Sequence, residues 1–215
     1  MSQPSDPRSA LGFDTPGVPV PTGPFDILVI GASLGGPPAV ERVLAALPAT
    51  FPIPVAIVQH MAAGFVAGWV ERLGQHCALR VKEAVNYEHL LPGTVHVAPT
   101  GLQMRIGGMR RKPVMRLDPD FSDSLHVPSV DMLMSSAAHV FGSGTLAVLL
   151  TGIGSDGACG MLAVRMAGGY TLAESSASAV SYGMPGSAAK LGAVVELLDL
   201  ERIPARIVEL GTAGR

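Results

Sequence analysis

The fold is decided by the stretch Ile27-Leu-Val-Ile30-Gly31-Ala-Ser33-Leu-Gly35-Gly36. Its first four residues are apolar and predict a short buried strand, and the glycines that follow predict a tight turn with a serine at its centre. Two prolines and an amphipathic repeat up to Leu47 come next. They predict a helix, because proline is tolerated in the first helical turn. Ser33 is therefore expected at a strand–turn–helix junction.

The turn Gly31-x-Ser33-x-Gly35 is open to three interpretations. A sharp turn of this kind lifts a serine hydroxyl clear of the sheet and lets backbone N–H groups hold an oxyanion, which favours a nucleophile. Glycine-rich turns between strand and helix also bind dinucleotide phosphates, or serve only as tight turns. The dinucleotide interpretation expects an acidic residue about 20 positions further on. This chain instead has Gln59 and His60 at the end of the next predicted strand.

Composition restricts the class of protein. The chain has 215 residues, of which 48% are hydrophobic and 15% charged, so we expect one folded domain with a substantial core. The net charge of -2 gives no general attraction to nucleic acid, and we expect no nucleic-acid partner. No apolar run is long enough to cross a membrane, and no secretory signal is visible at the N-terminus. We therefore expect no membrane insertion and a cytoplasmic location.

The cysteines and the N-terminal segment carry two further expectations. Cys77 and Cys159 are far apart, and neither has a Cys or His at metal-ligand spacing, so we expect two buried free thiols and no metal site. Residues 1–24 contain six of the 18 prolines and predict a flexible tail. Residues 25–213 are expected to form the folded catalytic domain.

Strand and helix patterns alternate along the rest of the chain. This alternation predicts an α/β fold with a doubly wound, mostly parallel sheet flanked by helices, in a single three-layer domain. A β-hairpin excursion is expected over residues 102–117, with its turn at Gly107-Gly108. A helix is expected over residues 63–73, where Gly74 would stop it.

Polar side chains follow three of the predicted strands. Ligands of parallel sheets gather beyond the carboxyl ends of the strands, and Ser33, His60 and Asp156 all occupy that position. Together they supply a nucleophile, a base that titrates near neutral pH and a carboxylate that orients the base, as in a serine hydrolase. The alternative for Asp156 is that it caps the helix predicted to begin near Ala158.

Six short segments follow one another in a recognisable order. They are Ile30-Gly-Ala-Ser33-Leu-Gly-Gly36, Val58-Gln-His60-Met61, Val97-Ala-Pro99, Pro128-Ser-Val-Asp131, Leu150-Thr-Gly-Ile-Gly-Ser-Asp156-Gly157-Ala and Tyr182-Gly-Met-Pro185. In this order and at these spacings they resemble the catalytic domain of the chemotaxis receptor methylesterases of the CheB family, which are protein-glutamate methylesterases/protein-glutamine deamidases. The resemblance covers about residues 25–205, which is nearly all of the predicted folded part.

The resemblance implies both the chemistry and the site. It makes Ser33 the nucleophile, His60 the base and Asp156 the third member of the triad, with the backbone N–H groups of Leu34 and Ile153 as the oxyanion hole. It implies the same doubly wound sheet and no cofactor. The implied reaction is hydrolysis of γ-glutamyl methyl esters on the cytoplasmic helices of methyl-accepting chemoreceptors, with release of methanol. The family also deamidates certain receptor glutamines.

The chain departs from the family pattern at several points. Leu34 and Ile153 stand where the family usually has threonine and methionine, and Gln103 stands where it has a histidine. An oxyanion hole made of backbone N–H groups does not depend on the side chains, so we expect these changes to alter the lining of the site more than its mechanism. Residues 1–24 are too short for the family's N-terminal receiver domain, so we expect no receiver domain here.

Two other functions stay open. A non-catalytic signalling or binding module could use the same fold, because fold does not fix function. A general esterase for small esters is the other alternative.

A further hypothesis is that the basic hairpin meets acidic receptor helices, whereas the alternative is a plain solvated hairpin. The basic residues concerned are Arg105, Arg110, Arg111, Lys112 and Arg116.

Overall fold

The computed structural model describes residues 23–119 and 125–214, in which strands and helices alternate as the sequence predicts. The strands are β1 (Ile27–Ala32), β2 (Val55–Gln59), β3 (Arg80–Glu83), β4 (Thr94–Val97), β5 (Gln103–Met109), β6 (Lys112–Asp118), β7 (Thr145–Leu149), β8 (Tyr170–Glu174) and β9 (Glu196–Leu198). The helices are α1 (Gly36–Ala45), α2 (Val66–His76), α3 (Val130–Phe141), α4 (Ala158–Met166), α5 (Gly183–Lys190) and α6 (Ile203–Thr212).

Seven of the strands form one sheet in the order β3-β4-β2-β1-β7-β8-β9, and every neighbouring pair is parallel. From β1 the chain forms β2 beside it, then the edge strand β3, and then β4 between β3 and β2. It later crosses to β7 on the other side of β1 and adds β8 and β9 there. The strand order therefore reverses beside β1. Ligands of such sheets bind in the crevice outside the carboxyl ends of the strands at this point. The predicted doubly wound, mostly parallel sheet is confirmed.

Helices cover both faces of the sheet, so its central strands are apolar on both sides. Alternate residues of a strand point to opposite faces. In β1, Leu28 and Ile30 pack with α1, α2 and α6, whereas Ile27 and Val29 pack with α3, α4, α5 and the hairpin formed by β5 and β6. This two-sided burial is the reason why the strand segments are continuous apolar runs in the sequence.

The hairpin turns three residues later than predicted. Met109 pairs with Lys112, so the turn is at Arg110-Arg111, and the two glycines expected at the turn lie inside the ladder. The apolar pattern sets this register, because it brings the buried Met104, Ile106, Met115 and Leu117 onto the one face that packs against the domain. A turn at the glycines would instead pair Met104 with Arg111 and place a charged side chain on this face.

The helix after β2 starts and ends later than predicted. α2 continues through Gly74 to His76, because Trp69 and Leu73 are buried against the core and hold its later turns. A glycine in an exposed helix interior costs only about 1 kcal/mol relative to alanine. That cost is too small to outweigh the packing, so Gly74 does not stop the helix.

Both cysteines are free thiols, but only one of them is sheltered. Cys77 is half-buried, and burial raises the pKa of its thiol. The expectation of a buried thiol is wrong for Cys159, which is exposed on the outward side of the first turn of α4. The inward side of that turn carries Ala158 and Met161. Within the described residues, no group of three or more His, Cys, Asp or Glu side chains could hold a metal ion.

Most of the predicted tail lies outside the described residues, since the description begins at Gly23. The expectation of a flexible segment over residues 1–24 therefore stays a prediction, as does the assignment of residues 25–213 to one catalytic domain. No helix within residues 23–119 and 125–214 has the length and apolar character needed to cross a membrane.

Gly31 marks a very close contact between the sheet and α3, and it provides a test of this packing. A Cβ at this position would lie 2.2 Å from Val130 Cγ1. Because both residues belong to the packed core, the clash cannot be relieved by one flexible side chain. We expect Gly31→Ala to lower the free energy of unfolding by about 1–3 kcal/mol, measured by urea denaturation.

Gly74→Ala is the matched control for this substitution. Gly74 lies in α2, and no atom lies within 4 Å of the position that its Cβ would take. Removing a helical glycine there should raise the free energy of unfolding by about 0.5–1 kcal/mol. A Gly31→Ala protein as stable as the unsubstituted chain would contradict the close contact between β1 and α3.

Candidate active site

Ser33 is positioned by the turn between β1 and α1. Its N–H donates to the Thr151 carbonyl (3.0 Å), and its carbonyl accepts from the Gly36 N–H (2.9 Å). Gly35 has a φ of 78°, a left-handed conformation that glycine adopts without strain. The turn therefore holds Ser33, half-buried, at the N-terminal end of α1 and against the loop that follows β7.

His60 follows β2 and lies beside the serine. Ala32 pairs with Gln59 in the sheet, and the His60 N–H donates to the Ala32 carbonyl (3.0 Å). The buried side-chain amide of Gln59 donates to the carbonyls of both Ser33 (2.7 Å) and His60 (2.9 Å). The position of the Gln59 amide requires glycine at Gly36, because a Cβ there would lie 2.0 Å from Gln59 Oε1. Gln59 thus ties together the backbones of two predicted site residues.

The third predicted residue reaches the histidine directly. Asp156 Oδ2 lies 2.8 Å from His60 Nε2, and the two side chains are 5% and 14% exposed. The carboxylate is held at the N-terminal end of α3, where it accepts from the Val130 N–H (2.8 Å), the Asp131 N–H (2.9 Å) and the Ser129 hydroxyl (2.9 Å). Negative charge is stabilised at this end of a helix.

These contacts determine the charge of the carboxylate. Burial raises the pKa of Asp156, but the hydrogen bonds from His60, the two backbone N–H groups and the Ser129 hydroxyl outweigh burial and hold the pKa below its ordinary value. The ionised carboxylate can therefore hold a proton on Nε2 of His60. Nδ1 is then the ring nitrogen of His60 that is left to accept a proton.

The alternative in which Asp156 caps the helix that follows it is wrong. α4 begins after Gly157, which supplies no side-chain cap. Asp131 caps α4 instead, since it accepts from the Gly160 N–H (2.6 Å) in the first turn of that helix. Burial raises the pKa of Asp131 despite this hydrogen bond, and the charge of Asp156 adds to the rise. α3 and α4 thus receive capping carboxylates from one another's segments.

Two backbone N–H groups next to the serine have no partner. Within the described residues, the N–H groups of Leu34 and Ile153 donate to no protein acceptor. Leu34 follows Ser33, and Ile153 follows Gly152, at which a Cβ would lie 2.8 Å from the Ser33 Cβ. The side chains of Leu34 and Ile153 are 52% and 62% exposed. Their N–H groups are therefore available to an oxyanion formed on a group attached to Ser33.

The loop after β7 is braced from two sides. The Gly152 N–H donates to the Ser181 carbonyl (3.0 Å), and the Gly152 carbonyl accepts from the Met184 N–H (2.9 Å). On the other side, the Thr151 hydroxyl donates to the Leu34 carbonyl (2.9 Å). These bonds hold the loop against the serine turn. They therefore set the position of the Ile153 N–H relative to the Leu34 N–H.

His126 and Gln103 belong to the site, although the sequence analysis gave them no role there. The rings of His60 and His126 are stacked, with centroids 4.3 Å apart and planes 11° from parallel. Gln103 is fully buried, and its amide donates to the His126 carbonyl (2.9 Å) and accepts from the Ser129 N–H (2.8 Å). Each contact joins segments far apart in the chain, so no local pattern reveals it.

A cleft of about 310 Å³ borders the site at Asp156 and His126. Its lining is mainly polar, with two apolar side chains at the rim. The lining residues are Leu125, His126, Ser129, Asp131, Met132, Ser155 and Asp156. The cleft is open to solvent and adjoins the triad at Asp156, whereas Ser33 and His60 are not among its lining residues.

The tip of the basic hairpin and Ser33 lie at opposite ends of β1. Arg110 pairs with Asp26 (2.7 Å), which directly precedes β1, whereas Ser33 directly follows β1. The tip residues Arg111 and Lys112 are adjacent in the turn and share this position. The hypothesis that the basic hairpin meets acidic receptor helices stays a prediction, and this geometry places the hairpin tip away from Ser33.

Comparison with known proteins gives one family. The family model described as CheB methylesterase matches residues 28–207. The protein-glutamate methylesterase/protein-glutamine glutaminase 1 of Carboxydothermus hydrogenoformans is 46% identical over 188 residues, which are 84% of this chain and 54% of that protein. The protein-glutamate methylesterase FrzG of Myxococcus xanthus is 42% identical over 191 residues, which are 88% of this chain and 56% of FrzG. The chain spans about half the length of the curated relatives it matches.

A solved structure extends this similarity to the fold. The crystal structure of the Thermotoga maritima CheB methylesterase catalytic domain matches with a TM-score of 0.83 at 36% identity. The match covers 87% of this chain and 100% of that one. The described fold is therefore that of a whole methylesterase catalytic domain.

Removing the charge of Asp156 tests the role of the α3 N-terminus. The fold lowers the pKa of this carboxyl, so its stabilising effect is present above the unfolded pKa of about 3.9 and is lost as the pH falls through the folded pKa. We expect Asp156→Asn to lower the free energy of unfolding at pH 7 by about 1.5–3 kcal/mol in urea denaturation. The deficit should shrink below a pH of about 4.

Asp131→Asn is the control for this experiment. The fold raises the pKa of Asp131, so ionisation of this carboxyl opposes folding above the unfolded pKa. Neutralising it at pH 7 should therefore cost less stability than neutralising Asp156. Equal losses in the two variants, or a deficit of Asp156→Asn that does not depend on pH, would count against the selective stabilisation of the Asp156 carboxylate.

Proposed function

This chain belongs to the CheB methylesterase family, and from that premise we propose that it is a serine hydrolase that demethylates glutamate methyl esters on chemoreceptors and releases methanol. The observation that carries the proposal is the 2.8 Å contact between His60 Nε2 and Asp156 Oδ2 beside Ser33. The proposed partners are the cytoplasmic helices of methyl-accepting chemoreceptors, which implies a cytoplasmic location for the reaction. The proposed catalytic unit is residues 25–213.

The first proposed step forms an acyl-enzyme. Nδ1 of His60 takes the proton from the Ser33 hydroxyl, and Oγ attacks the carbonyl carbon of the methyl ester. Asp156 keeps the proton on Nε2 and stabilises the imidazolium that forms. The oxyanion is held by the N–H groups of Leu34 and Ile153, and each donor of this kind is worth about 10²–10³ in rate.

The second proposed step restores the enzyme. The C–O bond to the methoxy group breaks, and methanol leaves with the proton from His60. Water then attacks the acyl carbon while His60 takes its proton. The bond from the acyl carbon to Oγ breaks, and His60 returns the proton to Oγ, which frees the glutamate and regenerates Ser33. A glutamine side chain would follow the same path with ammonia as the leaving group. Deamidation is therefore a second proposed activity, supported by relatives named protein-glutamine glutaminases.

Two of the alternative functions raised by the sequence, the binding module and the dinucleotide site, explain less of the geometry. A non-catalytic binding module has no need for a base and a buried carboxylate in contact beside a serine. A general esterase for small esters would use the same triad, so substrate preference is what distinguishes it from a receptor methylesterase. The dinucleotide interpretation has no acidic residue at the end of β2, where Gln59 and His60 lie.

The direct test is methanol release from a methylated chemoreceptor fragment. Ser33→Ala removes the nucleophile and is expected to lower the release rate by about 10⁴-fold or more, because the residues of such a triad act as a unit. Ser135→Ala, an exposed serine on α3, is the matched control and should keep the full rate. Circular dichroism should be unchanged in both variants. Full methanol release by Ser33→Ala would overturn the assignment of the nucleophile.

A comparison of two substrates separates the receptor methylesterase from a general esterase, with methanol release measured for the methylated receptor and p-nitrophenol release for p-nitrophenyl acetate. We expect kcat/KM for the methylated receptor to exceed that for p-nitrophenyl acetate, because binding energy from the receptor surface is available only to the larger substrate. A higher kcat/KM for the small ester would favour the general esterase. Receptor binding without any ester hydrolysis would favour the binding module.

A further inference from the structure

We propose that His126 is a positioning residue, whose ring holds the imidazole of His60 in the plane needed to take the proton of Ser33. The proposal rests on the proposed function, in which His60 is the base. Its starting point is the stack of the two imidazole rings, with centroids 4.3 Å apart and planes 11° from parallel. The sequence motifs and the comparisons assign no role to this residue.

A single hydrogen bond does not fix an imidazole ring. The contact between His60 Nε2 and Asp156 Oδ2 determines where Nε2 lies, but the ring can still rotate about the line through that contact. Rotation would turn Nδ1 away from the serine. A flat ring packed against one face of His60 restricts the rotation, and it also excludes water from that face. The stack therefore supplies the constraint that the hydrogen bond lacks.

The backbone of His126 is itself held in place. Its carbonyl accepts from the amide of Gln103, which is fully buried, and the same amide accepts from the Ser129 N–H. Ser129 in turn donates through its hydroxyl to Asp156 Oδ1 (2.9 Å). The contacts form a closed ring from His60 through Asp156, Ser129, Gln103 and His126 back to His60. Both supports of the base are thus fixed by one buried amide.

The surroundings of the stack contain mainly acidic and neutral groups. The cleft around His126 is lined by the carboxyls of Asp131 and Asp156 and by the hydroxyls of Ser129 and Ser155. The stack needs only the flat face of the His126 ring, because it acts by covering one face of His60. An uncharged aromatic ring should therefore replace the histidine, whereas a small side chain should not.

The experiment measures the rate at which a fluorophosphonate probe labels Ser33 in the full chain. We expect His126→Ala to slow labelling by about 10- to 100-fold, because displacing a catalytic group by about 1 Å can cost that much. His126→Phe keeps a flat ring without nitrogen atoms, and we expect its rate to stay within about threefold of the unsubstituted chain. His139→Ala, an exposed histidine in the last turn of α3, should label at the full rate.

Imidazole ¹⁵N resonances give a readout that a purely structural role would not change. In the unsubstituted chain and in His126→Phe, neutral His60 should carry its proton on Nε2. In His126→Ala the His60 resonances should shift and broaden, because the ring then samples several orientations about its contact with Asp156, while circular dichroism stays unchanged. In turnover assays, the loss should fall on kcat rather than on KM, because the residue acts through the base.

Two results would overturn the proposal. One is a His126→Ala protein that labels at the full rate with unchanged His60 resonances. The other is a His126→Phe protein as slow as His126→Ala, which would mean that a nitrogen of His126 is needed rather than its flat ring. Neither measurement uses a receptor. If the probe labels Ser33 of the unsubstituted chain but the chain releases no methanol from the methylated receptor, the proposed substrate is refuted. The comparison of the His126 variants still decides the role of His126.

Discussion

The carboxylate of Asp156 at the amino end of α3 is the interaction on which the site depends. It joins the loop after β7, the first turn of α3 and the imidazole of His60 through four hydrogen bonds. A buried charge of this kind is tolerated only when its hydrogen bonds replace the lost water. The helix therefore stabilises the charge, and the charge fixes the helix and the base relative to the sheet. Asp131 repeats the arrangement at the start of α4.

The parallel sheet supplies the second constraint. Carboxyl ends of parallel strands meet at one edge, so β1, β2 and β7 deliver Ser33, His60 and Asp156 to the same place from segments far apart in the chain. The close approach of these segments requires residues without side chains. A Cβ at Gly36 or at Gly152 would overlap Gln59, Ser33 or Met184. The glycines of the two turns are thus a condition of the site as well as of the turns.

Sequence patterns predict those parts of the structure that depend on local periodicity. The buried strands, the sheet type and the three strand-end residues follow from apolar runs and from the rule for parallel sheets. The sequence pattern predicts the hairpin turn at the wrong residues, because long-range packing of Met104 and Met115 overrides the turn preference of two glycines. The contacts of Gln103 and His126 are not predictable, because their partners are decided only when distant segments pack together.

The closed ring of contacts around His60 has a consequence for how such a site can change during evolution. Replacing one member of the ring, such as Gln103, alters the surroundings of the members on either side, so further changes there are expected to be correlated. Leu34 and Ile153 lie outside the ring with exposed side chains, and only their backbone N–H groups are offered to the site. A side-chain replacement at such a position leaves the backbone N–H group in place. The chemistry and the shape of the rim can therefore evolve at different rates.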